Sequence, residues 1–125
     1  MLEAVPGWSM TVDRGPDWLF IRLHDEGDGY GEVSGLAELL WNTLEQQFAH
    51  RMVIEMNEVM SLRSSMVGEL VRLHKRITNS GGLLRLAGLS DDNQEVLRHC
   101  RLEGCFPQYE TRTDAVKGQR PNKPR

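Results

Sequence analysis

Two adjacent hydroxyls, Ser64 and Ser65, open a segment in which Met66, Leu70, Leu73 and Ile77 recur at helical spacing. The spacing predicts a helix over Ser64–Asn79 with the serine pair in its first turn. That turn has free N–H groups and a partial positive charge. A phosphoryl group placed there gains hydrogen bonds and favourable electrostatics. Presented to a partner, it adds roughly −1.5 to −2 charge at a docking face. A serine at this place can equally do no more than cap the helix, for about 1 kcal/mol. Glu69 lies one position too far from Ser65 to complete a capping box. The residues by themselves support either use.

Other residues with reactive side chains are arranged less productively. The run His24-Asp25-Glu26-Gly27-Asp28-Gly29-Tyr30-Gly31 alternates carboxylates with glycine, as calcium loops do. It lacks the closing Glu of such a loop and reads as a solvated connection. His99, Cys100 and Cys105 have no second Cys/His pair beside them, so no metal site is expected. No Gly-x-Ser-x-Gly elbow, Walker loop or dinucleotide fingerprint occurs. His74 falls on an apolar helix face and reads as a packed histidine rather than a base. An enzyme is therefore not expected, and no cofactor is called for. Met52, Met56, Met60 and Met66 surround the junction that leads into the serine pair. Adaptable methionines suit a binding surface, and Met60 and Met66 are the two expected to be exposed.

The elements that must position these groups follow from periodicity. Trp8–Val12 and Asp17–Leu23 read as a hairpin turning at Gly15-Pro16. Ser34 to Phe48 reads as a helix with Leu36, Leu40, Leu44 and Phe48 on one face and Ser34 as its N-cap. Arg51–Met56 and Leu83–Ala87 read as strands, the first buried on both faces. In the Ser64–Asn79 helix, Glu69, Arg72, Lys75 and Arg76 are expected to face away from the core. A third helix opens near Ser90, with capping-box spacing between Asp91 and Gln94 and with Val96, Leu97 and Cys100 facing inward. Phe106–Tyr109 reads as a last short strand. Lys117 onward is basic, proline-containing and without an apolar anchor, so a disordered tail is expected over 117–125.

Composition bounds the function classes. The chain has 125 residues, 39% apolar and 26% charged, with a formal net charge of −3. These values fit one globular domain over 1–116. They give no global attraction to nucleic acid or to an anionic membrane. No run approaches the roughly 20 apolar residues of a membrane span. Met1–Pro6 has neither the basic nor the apolar region of a secretory signal. Two cysteines do not form a disulfide framework, and a cytoplasmic location is expected.

One stretch narrows the reading. Val53-Ile54-Glu55-Met56-Asn57-Glu58-Val59-Met60-Ser61-Leu62-Arg63-Ser64-Ser65-Met66-Val67-Gly68-Glu69-Leu70 runs from a buried strand through a short loop to a serine pair. It resembles the STAS domain of bacterial anti-sigma factor antagonists. That family has Asp-Ser-Ser/Thr/Gly-Gly here, and its partner anti-sigma kinase phosphorylates the Ser after the Asp. Gly81-Gly82-Leu83-Leu84-Arg85-Leu86-Ala87-Gly88 is similar to the family's glycine turn and next strand. Val96–Phe106 is similar to its next helix, turn and last strand, and Thr113–Val116 to the start of its final helix.

The resemblance implies an α/β fold, a mixed sheet of four to five strands with three to four helices packed on it. It implies partner switching with an anti-sigma factor serine kinase and makes Ser64 the phosphoacceptor. The implied docking surface comprises Met60, Ser61, Arg63, Ser64, Ser65, Glu69 and Arg72. Arg63 stands where the family has Asp, and Met66 where it has Gly. These two departures favour an alternative, a self-associating scaffold subunit that no longer switches.

Overall fold

The alternating and helical patterns resolve into one mixed sheet with helices on both faces in the computed structural model, which describes residues 2–26 and 33–118. The strands are β1 (Leu2–Glu3), β2 (Trp8–Gly15), β3 (Trp18–Asp25), β4 (Arg51–Glu58) and β5 (Leu83–Ala87). The helices are α1 (Leu36–Gln46), α2 (Ser64–Asn79), α3 (Asp91–His99) and α4 (Arg112–Lys117). The sheet order is β1-β2-β3-β4-β5. β1, β2 and β3 pair antiparallel, whereas β3, β4 and β5 pair parallel. The parallel pairs require helical crossovers, supplied by α1 and α2.

Alternation in β3 sends Leu19, Ile21 and Leu23 into the main core. There they meet Ile54, Leu86, the α1 stripe Leu36, Leu40 and Leu44, the α2 stripe Met66, Leu70, Leu73 and Ile77, and Leu97 of α3. The opposite face carries a smaller cluster of Trp18, Val53, Ala87, Tyr109 and Ala115, closed by α4. His74 packs edge-on against Phe106 with ring centroids 5.1 Å apart. Burial depresses its pKa and keeps the imidazole neutral, as a packed histidine should be.

Several expectations from sequence are corrected. Phe106–Tyr109 is not a strand. Pro107 removes a ladder donor, and the segment instead carries the chain from the main core, where Phe106 sits, to the opposite cluster, where Tyr109 sits. It is tied to the end of β5 by the Gly88 N–H, which donates to the Tyr109 carbonyl at 2.9 Å. Ser34 is not the cap of α1, since Gly35 holds that position with φ 86°. Phe48 is not on the α1 face: the helix ends at Gln46 and Phe48 projects into solvent. Ser90, not Asp91, caps α3, its Oγ accepting from the Asn93 N–H at 3.1 Å. Cys100 lies outside α3 and is exposed, leaving Leu97 to anchor that helix. Lys117, read as the first tail residue, ends α4, and the remainder of that tail from 119 lies outside the described residues, as does most of the acidic glycine-rich run.

The second face of the sheet is stitched by charge. Glu55 is buried at 4% exposure in the middle of β4. Arg22 Nη2 on β3 donates to it at 2.9 Å, and Arg112 Nε on α4 at 3.1 Å. Arg112 also reaches Asp13 on β2 at 3.1 Å and stacks over Phe20. Further along, Thr11 Oγ1 lies 2.7 Å from His24 Nε2, whose Nδ1 lies 3.0 Å from Glu58 Oε2. Burial works against the Glu55 charge, but the hydrogen bonds from Arg112 and Arg22 outweigh it and hold the carboxyl below its ordinary range.

Because that folded value lies below the unfolded one, the stabilisation is complete above the unfolded pKa and disappears as pH falls through the folded pKa. Glu55→Gln should therefore destabilise the protein by about 2 kcal/mol at neutral pH, less than a fully buried pair because both arginines are part-exposed. Urea denaturation at neutral and acidic pH checks this: the gap between wild type and variant should close in acid.

Candidate partner-binding site

The β4–α2 junction is a short loop whose outer side chains are buried and whose two middle ones are exposed. Val59 and Leu62 are buried at 4% and 3% exposure, while Met60 is 80% exposed and Ser61 is exposed beside it. The two buried side chains pin the loop to the core and force Met60 and Ser61 outward. A second restraint comes from α3. Asn93, 2% exposed, donates from Nδ2 to the Val59 carbonyl at 3.0 Å and accepts at Oδ1 from the Leu62 N–H at 2.9 Å. One amide thus satisfies two backbone groups that the loop would otherwise bury unpaired.

The chain enters α2 through Arg63, which is extended at φ −87° and ψ 160° and makes no side-chain cap. The first helical hydrogen bond is Val67 N–H to the Arg63 carbonyl at 2.9 Å. Ser64 and Ser65 are exposed in the first turn, and neither caps the helix, so the capping use weighed from sequence is not the one adopted. No acidic side chain lies in that turn. The positive end of the helix and the exposed Arg63 therefore face outward together, beside the Ser64 hydroxyl.

Met60, Ser61, Arg63, Ser64 and Ser65 thus form one continuous exposed rim. Arg72 is also exposed, about 12 Å further along α2. Glu69 is not part of this surface. It is 8% exposed and turned toward α1, where Oε1 accepts the Ala37 N–H at 3.0 Å and the carboxylate also bonds Arg72. It supplies the helix cap that Gly35, without a side chain, cannot. Met66 is likewise not exposed: at 2% it belongs to the sheet-facing stripe.

Sequence reasoning missed Asn93 and the capping role of Glu69. The spacing of Ser90 and Asn93 signals a cap, but nothing local signals an amide that reaches a loop some thirty residues upstream. No group of three or more His, Cys, Asp or Glu side chains is placed to hold a metal among the described residues. Among the same residues, no helix is long and apolar enough to cross a membrane.

Comparison with known proteins agrees with this architecture. The STAS domain family model matches residues 10–115. The chain belongs to that family. Among solved structures, a putative anti-sigma factor antagonist from Thermotoga maritima superposes with a TM-score of 0.73 at 16% identity, covering 87% of this chain and 92% of that one. An anti-sigma factor antagonist from Mycobacterium paratuberculosis gives 0.73 at 16% identity, covering 89% and 92%. The Bacillus cell fate determinant SpoIIAA in its phosphorylated form gives 0.63 at 16% identity, covering 90% and 100%. No curated protein sequence matches significantly.

Replacing Asn93 by Ala should strand the Val59 carbonyl and the Leu62 N–H in a buried setting, at about 2–4 kcal/mol. Hydrogen exchange should show the Leu62 amide losing protection. A variant in which that amide stays protected would show that Asn93 does not hold the loop.

Proposed function

We propose that this chain is an anti-sigma factor antagonist that acts by partner switching, docking an anti-sigma factor serine kinase on the β4–α2 rim, with Ser64 as the phosphoacceptor. One observation carries the reading: the Ser64 hydroxyl is exposed in the uncapped first turn of a helix whose entry loop is clamped from behind. A kinase needs an acceptor hydroxyl that it can approach, on a segment held still. The exposed Met60 offers an adaptable apolar contact beside it. Before phosphorylation the rim is neutral to basic. Phosphorylation brings roughly −1.5 to −2 charge to the centre of the docking face, enough to reverse its sign. The kinase supplies ATP and catalysis, and this chain acts in the cytoplasm as substrate and ligand.

The alternative, a scaffold that docks without switching, is favoured by Arg63. The two departures from the family pattern are not equivalent. Met66 points into the core and leaves the docking face unaltered. Arg63 is exposed at the acceptor itself and puts a cation where the family has a carboxylate.

Incubation with the candidate kinase and ATP, with the phosphate mapped by mass spectrometry, tests the proposal. Phosphate should appear on Ser64, be absent from Ser64→Ala, and weaken the complex at least ~tenfold relative to the unmodified protein. Arg63→Asp should speed the transfer. Binding without phosphate would leave the scaffold reading, and no binding at all would overturn both.

A further inference from the structure

The end of the sheet opposite Ser64 carries an aromatic side chain that is unfavourable where it stands. α1 terminates with the Phe48 N–H donating to the Glu45 carbonyl at 3.0 Å and the Ala49 N–H to the Leu44 carbonyl at 3.2 Å. In such an ending the residue after the cap is left-handed, a position that glycine usually fills. Here Phe48 takes it, at φ 52°. A bulky residue at positive φ is a genuine outlier. The same residue is 87% exposed, so its ring gains nothing from the core. Phe48 thus costs stability twice over, in backbone strain and in exposed apolar surface. Strain of this kind concentrates at functional sites.

Its surroundings indicate what it serves. Phe48 lines a cavity of about 400 Å³ with Arg14, Asp17, His50, Arg51 and Gly81. Arg14 spends its hydrogen bonds on the Gly15 and Trp18 carbonyls, at 2.8 and 3.3 Å. Arg51 lies over the Trp18 ring at 5.8 Å. Among the described residues, neither guanidinium has a carboxylate within ion-pair distance. Arg22, Arg72, Arg76, Arg98 and Arg112 are paired with carboxylates, and Arg85 instead donates to the Ala115 carbonyl. On a chain of net charge −3, two arginines outnumber the one lining carboxylate, Asp17, around a strained, solvent-facing phenylalanine and make a locally basic patch with an apolar centre.

We propose that this patch docks an acidic segment of a partner protein, with Phe48 meeting an apolar side chain and Arg14 and Arg51 pairing with carboxylates that flank it. A two-fold contact between copies of this chain is disfavoured, because it would set each basic rim against itself. The patch begins at Arg51, the first residue of β4, and the phosphoacceptor rim lies beyond Glu58, the last. The strand rise separates the two by roughly 23 Å, so both surfaces can be occupied together. The inference does not depend on the kinase reading, because the two surfaces share no residue.

The test titrates the isotope-labelled protein with a synthetic peptide of glutamates around one central leucine and follows amide chemical shifts. Saturable shifts should centre on Phe48, Ala49, His50 and Arg51. Phe48→Ala should weaken binding about tenfold or more, as an anchor at an interface centre does. A peptide with Gln for Glu should bind correspondingly less. Phe48→Gly should raise the thermal midpoint, since glycine accepts the left-handed backbone. The proposal is overturned if no saturable shift appears, if shifts centre on the Ser64 end, or if Phe48→Ala binds as wild type. It is equally overturned if Phe48→Gly lowers the midpoint, or if sedimentation shows a dimer that Phe48→Ala abolishes.

Discussion

The presented surface of this molecule rests on one buried amide. The β4–α2 loop has to leave a fully buried strand, turn, and start a helix at the rim within a few residues. Its backbone passes through the interior at Val59 and Leu62, where water is not available to satisfy it. Asn93 answers both orphaned groups with one side chain, carbonyl oxygen to N–H and amide nitrogen to carbonyl. Asn93 is itself fixed, because its backbone N–H donates to Ser90 Oγ at the start of α3. The position of the serine rim is therefore set by a cap on another helix, and α3 supports the rim from behind through Asn93. For the proposed docking role this stiffness matters, since each loop rotamer that freezes on binding subtracts from affinity.

The sheet divides the remaining work between its faces. On one face the helices α1 and α2 bury continuous aliphatic stripes, and packing supplies the stability. On the other face, among the described residues, the short α4 and Tyr109 cover a smaller apolar cluster, and charge adds to packing. Glu55 sits at 4% exposure between Arg22 and Arg112, and the three groups tie β3, β4 and α4 together. Removal from water penalises the carboxylate, and two charge-assisted donors offset that penalty. The ion cluster also gives α4 an address: a helix spanning only Arg112–Lys117 has little intrinsic stability, and its Arg112 end is held by the sheet.

The elements legible in the sequence were those whose information is local. α2 and β5 appear with the bounds read from periodicity, because Met66, Leu70, Leu73 and Ile77 repeat at helical spacing and Gly81-Gly82 and Gly88 punctuate the ends. The serine pair was legible for the same reason. What escaped depends on partners far along the chain: Glu69 on the α1 backbone, Asn93 on the β4–α2 loop, and Arg112 on Glu55. Glu69 looked like a surface residue because helical charge patterning assigns glutamates to solvent, and only the approach of α1 turns it into a cap. Phe48 was misplaced because it continues the spacing of Leu36, Leu40 and Leu44, although the helix stops before it. Phe106 and Tyr109 carry strand-forming side chains, yet Pro107 and the need to reach opposite faces of the sheet override that propensity.

The burial of Met66 alters how the family pattern is to be weighed. From sequence, Arg63 and Met66 are two equal departures beside Ser64. In the fold they belong to different layers. Position 66 lies on the sheet-facing stripe of α2, so a methionine there changes the filling of the core and not what a partner touches. Position 63 is the exposed residue before the helix, and its side chain sets the charge beside Ser64. A carboxylate there would oppose a phosphate on Ser64, whereas a guanidinium attracts it. In the proposed phosphorylated form, that cation and the N–H groups of the first turn would both lie beside the added charge. Arg63 thus sets the charge of the rim without disturbing the helix whose first turn exposes Ser64.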